Sequence, residues 1–558
     1  MERRNFLKNM INVAAIPLIP NQLYANVLDV NSISPEAMSM IQGDIDRVLV
    51  LIKLNGGNDG LNTIIPLEQY ANLIDARVRK DIMVAENKIL RVNGNDTIGF
   101  NPAMVEMAKL FNAQKLSIVQ GVANTSGIYS HFHGMDQWES ASDQFKTYSS
   151  GWIGRYIEKT YHLSATHYPN QCMKDPLAIE IGTSSIVTRG TGAILAQNLS
   201  PYFNGNVTQL LENYDDSGIS ENMKRELDFI RQQQGFTNDY GNKIINAWKN
   251  GTNSSSVTYP NSTIPSDYVI PSTTLSQQLK IVARLVKGGL KTRIFVVSIG
   301  NFDTHFNQGK ENGWHHLLLK DLSDAIGAFQ KDIENLNIAD RIIGMTYSEF
   351  GRRVAANSGG GTEHGLAAPL FIFGNKVKGS VIGQNYKIND ISAVNAFSTV
   401  PIQYDYRQVY TSVLQDWFSV CKSDAVEIIK KELDPIPGIF KDGTSLTPCI
   451  LGPLINPLKS ECIVNIIEVS GDDHSIYARI QPNPTNGQFT IIPVVGFDFN
   501  SATTITIHSV NGALMYSENK VYSADEKINI HVTLVPGIYI VGIQNNKFRL
   551  NQKISVQY

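Results

Sequence analysis

The stretch FVVSIGNFDTHFNQ, residues 295–308, breaks an apolar, β-branched run at Gly300 and then presents Asp303 and His305, a carboxylate and an imidazole one residue apart. Other apolar runs end in the same way. Asn58 and Asp59 follow the run at 46–54, and Ser130 follows the one at 115–121. Ser348 and Glu349 follow the run that ends at Tyr347, and Glu363 and His364 sit in the Gly-rich loop GGGTEHG. Carboxylates and imidazoles drawn from several segments suit a divalent ion such as Zn²⁺, Mn²⁺, Mg²⁺ or Ca²⁺. Taken singly, each residue has a plainer role. Asp59 in NDG is a turn residue, Ser130 a helix N-cap, His305 a loop histidine, and Glu349 a partner for Arg352 or Arg353. Their convergence is what would make a site.

Four neighbouring features weigh less. His131 and His133 are two apart on an expected helix, so both cannot face one metal. His315 and His316 open a long helix and read as surface residues. Arg155, in GWIGRYI, is either a clamp for a phosphate or sulfate group or half of a structural ion pair. The triple glycine at 359–361 lacks the lysine of a phosphate-binding P-loop.

The elements that would gather these residues follow from the hydropathy pattern. DRVLVLIKL at 46–54 and KLSIVQG at 115–121 are near-continuous apolar runs, as expected of strands covered on both faces. From residue 275 onward, helical patterns alternate with the strands RIFVVSIG and RIIGMTYS. Such alternation implies βαβ units, hence an α/β fold with a mostly parallel central sheet and helices on both faces. In such a sheet, sites form at the carboxyl ends of the strands, and each residue named above follows one of those ends. The helical, charged stretch at about 200–275 reads as an insertion on that sheet. After residue 440 a Pro-containing linker, 441–475, leads to 476–558, where strand-like runs alternate with Asn/Gly turns as in a small all-β sandwich.

The 558 residues, 42% hydrophobic, allow several domains, and a net charge of −3 gives no case for nucleic acid. Residues 1–25 combine Arg3 and Arg4 with a short apolar run and LYA, an export signal too short to span a bilayer in the mature chain. RRNFLK is similar to a twin-arginine signal. No later segment is apolar enough to span a membrane, so the expected route is through the periplasm to the cell surface or medium. Four cysteines are too few for a disulfide scaffold; Cys449 and Cys462 are either bridged or free.

LNGGNDGLNTIIP, SHFHGMDQW, GWIGRYI, FDTHFNQ and SEFGRR…GTEHG occur in that order, and with them residues 45–440 resemble the exported family known as domain of unknown function 1501. That family is grouped with the alkaline phosphatase and sulfatase superfamily. The resemblance implies an alkaline phosphatase-like two-metal hydrolase of phosphate or sulfate esters. Ser130 takes the nucleophile position, and Asp59, Asp303, His305, Glu349 and His364 the metal positions. Phe350 stands where the superfamily places a second-metal histidine, which implies an oxygen-richer or empty second site. Ser130 lies in no C/S-x-P-x-R motif, which argues against a formylglycine sulfatase. ARIQPNPTNGQFTI and LVPGIYIVGIQNNKFRLNQKISV resemble the C-terminal sorting domain of the type IX secretion system, implying that machinery as a partner. The alternative is a non-catalytic surface or secreted binding protein that reuses the same fold.

Overall fold

In a computed structural model the described residues are 46–125, 127, 129–143, 148–161, 175–183, 185–190, 196–199, 240–269, 273–442 and 444. In the C-terminal part they are 478–481, 488–493, 502–509, 514–522, 528–535, 537–544 and 549–556. The expected export signal, the linker and the Cys449–Cys462 pair lie outside them. Cys421 is disulfide-bonded, as suits a chain that reaches an oxidising compartment. The chain divides into two compact units, Met1–Cys462 and Ile463–Tyr558.

The first unit is built on a nine-stranded sheet. In chain order its strands are β1 (Val48–Leu54), β2 (Leu116–Ala123), β3 (Ala178–Ile181), β4 (Ala196–Leu199), β5 (Ile294–Ile299), β6 (Ile342–Tyr347), β7 (Ala368–Phe373), β8 (Val381–Ile382) and β9 (Tyr404–Asp405). Across the sheet the order is β8-β2-β7-β6-β1-β5-β3-β4, with β9 also pairing with β2. β1 lies at the centre, parallel to β5 and β6, and β7 alone runs antiparallel to its neighbours. The mostly parallel α/β architecture is the expected one.

The unbroken apolar run of β1 is explained by two cores. Val48, Val50, Ile52 and Leu54 face one cluster, and Leu49 and Leu51 face the other. Helices α1 (Val105–Asn112), α4 (Leu275–Lys287) and α5 (Trp314–Asn335) cover the first face through Met107, Leu279, Val282 and Leu318. Helices α2 (His131–Ser140), α3 (Trp152–Tyr161), α6 (Tyr406–Ser412) and α7 (Lys422–Ile429) cover the second through Trp138, Trp152, Tyr410 and Ile428. A capping box at Thr274 and Gln277 starts α4.

Of the expected insertion, residues 240–250 are helical and carry Ile244 and Ala247 into the first core. Two carboxylates of α5 pin the segment that follows. Asp321 accepts from Thr263, and Asp332 accepts from Asn253, Ser254 and the Tyr259 hydroxyl.

The second unit has two antiparallel sheets. Its strands are β10 (Ala478–Gln481), β11 (Gln488–Pro493), β12 (Thr503–Ser509), β13 (Leu514–Lys520), β14 (Ile528–His531), β15 (Gly537–Gln544) and β16 (Arg549–Val556). They form the sheets β10-β11-β14 and β13-β12-β15-β16. Alternate residues of both, among them Ile480, Ile491, Ile505, Ile507, Val541 and Ile554, share one core.

Candidate metal centre

The carboxyl ends of β1, β5 and β6 lie side by side, and the chain leaves each as a tight loop. After β1, Gly56 takes φ +122°, and a Cβ there would collide with the backbone of Phe302 and Asp303. Glycine thus lets the two loops touch. After β5, Asp303 stands half exposed and close to three imidazoles. His131 Nε2 is 3.3 Å from its Oδ2, and His305 Nε2 and His364 Nε2 are 3.1 and 3.3 Å from its Oδ1. Ligand atoms of His131, Asp303 and His364 all lie within 4.8 Å of one another. His305 joins from the other partner's side, its Nε2 2.9 Å from that of His364.

The other ring nitrogen of each histidine is committed. His131 Nδ1 donates to Glu349 Oε1 at 2.7 Å, His305 Nδ1 to Glu363 Oε2 at 3.0 Å, and His364 Nδ1 to the Tyr129 carbonyl at 2.6 Å. An acceptor at Nδ1 fixes the tautomer and leaves the Nε2 lone pair free, the arrangement that metal-ligating histidines show. Beyond its 3.3 Å approach to Asp303, the buried His131 Nε2 makes no hydrogen bond among the described residues. The lone pairs of His305 and His364 face each other at 2.9 Å, which requires a proton or a cation to relieve their repulsion. Both observations fit a divalent ion.

The charges are tuned by close partners. Partial burial pushes the Asp303 carboxyl up. The hydrogen bond and charge of Arg352, with His131 and His305, outweigh that and hold it below its usual range. The hydrogen bond that His131 donates to Glu349 raises the His131 pKa, whereas burial lowers that of His364. Arg352 is fully buried; besides Asp303 it donates to the carbonyls of Gly56, Gly57, Phe302 and Thr362. Phe350 packs its ring 4.9 Å from that of His131 and 4.5 Å from that of His364, so it forms a wall of the site.

Several expected residues stand elsewhere. Asp59 is fully buried, with both oxygens 2.9 Å from Arg79 Nη1 and Oδ2 2.5 Å from Gln308 Nε2. Burial would raise its pKa, but Arg79 and His315 lower it, so it is a buried ion pair and lies outside the cluster. It still serves the site. Gln308 Oε1 accepts from Thr304 and Thr362, the neighbours of Asp303 and Glu363, which ties both ligand-bearing segments to Asp59. Glu349 is buried behind His131 and also accepts from the Gly56 amide at 2.8 Å, so it orients a ligand.

Arg155 is saturated. It donates to the carbonyls of Ile428, Ser150 and Ser140, joining the ends of α2 and α7, and burial lowers its pKa to about 10. That geometry leaves no fork for an anion, and the expected clamp is corrected to a structural tie. His315 is buried, not on the surface, with Nε2 3.0 Å from Asn58 Oδ1 and a pKa lowered to about 4 by burial.

Ser130 is the exposed N-cap of α2, and its side chain makes no capping bond. The next residue, His131, turns its ring to the cluster instead. The two histidines do diverge: His133 turns to Gln137 at 3.2 Å while His131 turns to the site. A lone histidine on the first turn of a helix at the sheet edge was the available signal.

Beside the cluster opens a cleft of about 710 Å³, with Lys53, Asp136, Glu139, Arg189 and Asn301 among its lining residues. Glu139 pairs with Lys53 at 2.8 Å and accepts from the Ile186 amide at 2.9 Å.

The model of the family described as "Protein of unknown function (DUF1501)" matches residues 128–430, more than half of the chain. The chain belongs to this family. Residues 479–557 match the secretion system C-terminal sorting domain, which implies secretion to the cell surface or outside. No curated protein matches this DUF1501 member. Among solved structures it is similar to an alkaline phosphatase superfamily protein from Vibrio parahaemolyticus, at 8% identity over 92% of this chain and 82% of that one, TM-score 0.30. It is also similar to the alkaline phosphatase of the Antarctic bacterium TAB5, at 9% identity over 69% and 98%, TM-score 0.27. A third is the lipoteichoic acid synthase LtaP of Listeria monocytogenes, at 7% identity over 61% and 67%, TM-score 0.25. Likenesses this distant say nothing of the chemistry of this DUF1501 protein. No helix among the described residues is long and apolar enough to cross a membrane.

Proposed function

We propose that this protein is an exported, metal-dependent hydrolase of phosphate or sulfate esters. One observation carries the reading: three histidines, each with Nδ1 held by a fixed acceptor, turn Nε2 toward Asp303. His131, Asp303 and His364 would hold the ion, with His305 as a further ligand, and its identity among Zn²⁺, Mn²⁺, Mg²⁺ and Ca²⁺ is left to measurement. A divalent ion there supplies positive charge that polarises an ester oxygen and lowers the pKa of a nearby hydroxyl or water.

The chain's own groups do the rest. Ser130 is the candidate nucleophile. Its oxygen bonds to phosphorus or sulfur while its proton passes to the oxygen of the departing alcohol, and water then cleaves the seryl ester, returning a proton to Ser130 and releasing the acid. The first amides of α2, beyond Ser130, favour an anionic ester. Glu349 orients His131, and Arg352 fixes Asp303. The 1–25 export signal and the type IX sorting tail complete the reading, with passage through the periplasm to the surface.

A non-catalytic surface binder is the second reading, favoured by Arg352, which already neutralises Asp303 Oδ1 at 2.6 Å. The two readings separate on a panel of phospho- and sulfo-esters. The hydrolase reading expects turnover that is lost on chelation, restored by a divalent ion, and abolished in Ser130→Ala and Asp303→Ala. Absence of turnover with every ester and ion would leave the binder.

A further inference from the structure

Among the described residues, the exposed large apolar side chains of the first unit are Ile74, Val105, Tyr129, Phe132, Tyr268, Phe306 and Phe397. Five of these are aromatic, and each is linked to the metal centre or its cleft as a chain neighbour or through a polar contact. Tyr129 lends its carbonyl to His364. Phe132 follows His131, lines the cleft and is 88% exposed. Phe306 follows His305 and is 71% exposed. Phe397, 79% exposed, lies 4.9 Å from the Arg353 guanidinium, which is also 5.7 Å from the Tyr129 ring and donates to the His364 carbonyl. Tyr268 accepts through its carbonyl from Asn301 on the cleft wall.

Rings this exposed cost free energy in water and mark a binding surface when they gather around a site. Their distribution selects the ligand. Tyr129 and Phe397 flank the Arg353 guanidinium while Phe132 lines the cleft, so a charged group interrupts the rings and they do not form one apolar strip. Beside Phe132 the cleft presents polar groups on Asn55, Asp136, Ser185, Arg189 and Asn301. An acyl chain would strip those groups of water and return no hydrogen bonds. A sugar ring has a flat apolar face for an aromatic platform and hydroxyls for the polar groups. A cleft of about 710 Å³ has room for more than one such ring.

We propose that the aromatic collar binds a carbohydrate chain, and that the ester brought to the metal centre is borne on that glycan. The second clause rests on the hydrolase reading; the first does not.

The test is affinity gel electrophoresis of the full-length secreted protein. The gels contain dextran, dextran sulfate, chondroitin sulfate or alginate, and the protein is run with and without chelator. The proposal expects at least one polysaccharide to retard migration with or without chelator, so a failed hydrolase reading leaves this result intact. Phe132→Ala with Phe306→Ala should weaken the interaction about 10-fold or more, since stacked aromatics contribute measurably beyond their area. Val105→Ala, an exposed apolar change on α1, should leave it unchanged. Thermal unfolding of each variant checks that the surface substitutions leave the fold intact. Three results overturn the proposal. One is no retardation by any polysaccharide. Another is retardation by the anionic polymers alone, abolished by salt and indifferent to the double variant. The third is tight binding of decyl sulfate or phospholipid vesicles that the double variant removes while glycan binding is absent.

Discussion

Glu349 and His131 illustrate how far a side chain's partner determines its role. Glu349 follows a strand, where the sequence places a ligand, yet its Oε1 is spent on His131 Nδ1 and the Gly56 amide. Glu349→Gln keeps the shape but removes the charge that orients His131. Substitutions at such supporting positions lower metal affinity by roughly 10–100-fold. A competition titration with a fluorescent chelator should show that drop with little change in melting temperature; equal affinity would remove Glu349 from the site. Arg155 should behave in the opposite way. Arg155→Met strands the carbonyls of Ser140, Ser150 and Ile428, and buried orphans cost about 1–3 kcal/mol each. Urea unfolding should register a loss of at least that size while metal content per folded chain stays the same. Neither role was legible from types and spacing, because Glu349 and His131 are far apart in sequence and Arg155 finds its acceptors on backbone carbonyls.

At the scale of elements, the sequence pattern was most informative where burial is two-sided. β1, β5 and β6 are wholly buried, and their apolar runs could be read directly, as could helices α4 and α5 from their periodicity. The sheet edge where they end did collect Asp303, His305 and His364. The buried network beneath it was hidden, since Asp59 reaches Arg79 and Gln308, 20 and 249 positions away. Asp59→Asn leaves Arg79 buried without its counter-charge, and breaking a buried pair costs about 3–5 kcal/mol. Because Gln308 links Asp59 to both ligand segments, metal affinity should fall along with stability, and paired denaturation and titration curves check this.

The 185–188 loop at the cleft invites a pH experiment. Glu180 is buried on β3, accepts from Thr188 and the Ser185 amide, and lies near Glu139 and Lys53; burial raises its pKa to about 7. Its unfolded value is the ordinary 4.5, so the folded state binds the extra proton between these values. Stability from this group is therefore present on the acid side and fades as pH rises through about 7. Melting temperature between mildly acidic and mildly basic buffers should fall, and Glu180→Gln should flatten the slope. An unchanged slope in the variant would place the titration elsewhere.

The whole molecule divides cleanly in its cores. The two large clusters of the α/β unit draw only on residues up to Phe440, and the third only on residues from Ile480 onward. A chain ending at residue 462 should therefore keep the unfolding midpoint of the α/β unit and its metal content, yet fail to reach the cell surface for want of the sorting domain. Fractionation of the producing cells checks the second half of that expectation. In the sequence, the matching expectation rests on the shift after residue 440 to short alternating strand-like runs and turns.

The central claim is that His131, Asp303 and His364 hold a divalent ion. Its most direct test is elemental analysis of the full-length protein after equilibration with Zn²⁺, Mn²⁺, Mg²⁺ and Ca²⁺, beside Asp303→Ala and His131→Ala. The account predicts about one ion per chain in the wild type and a small fraction of that in both variants, as expected when one of few protein ligands is lost. A wild-type protein that retains none of the four ions, or variants that retain as much as the wild type, would contradict it.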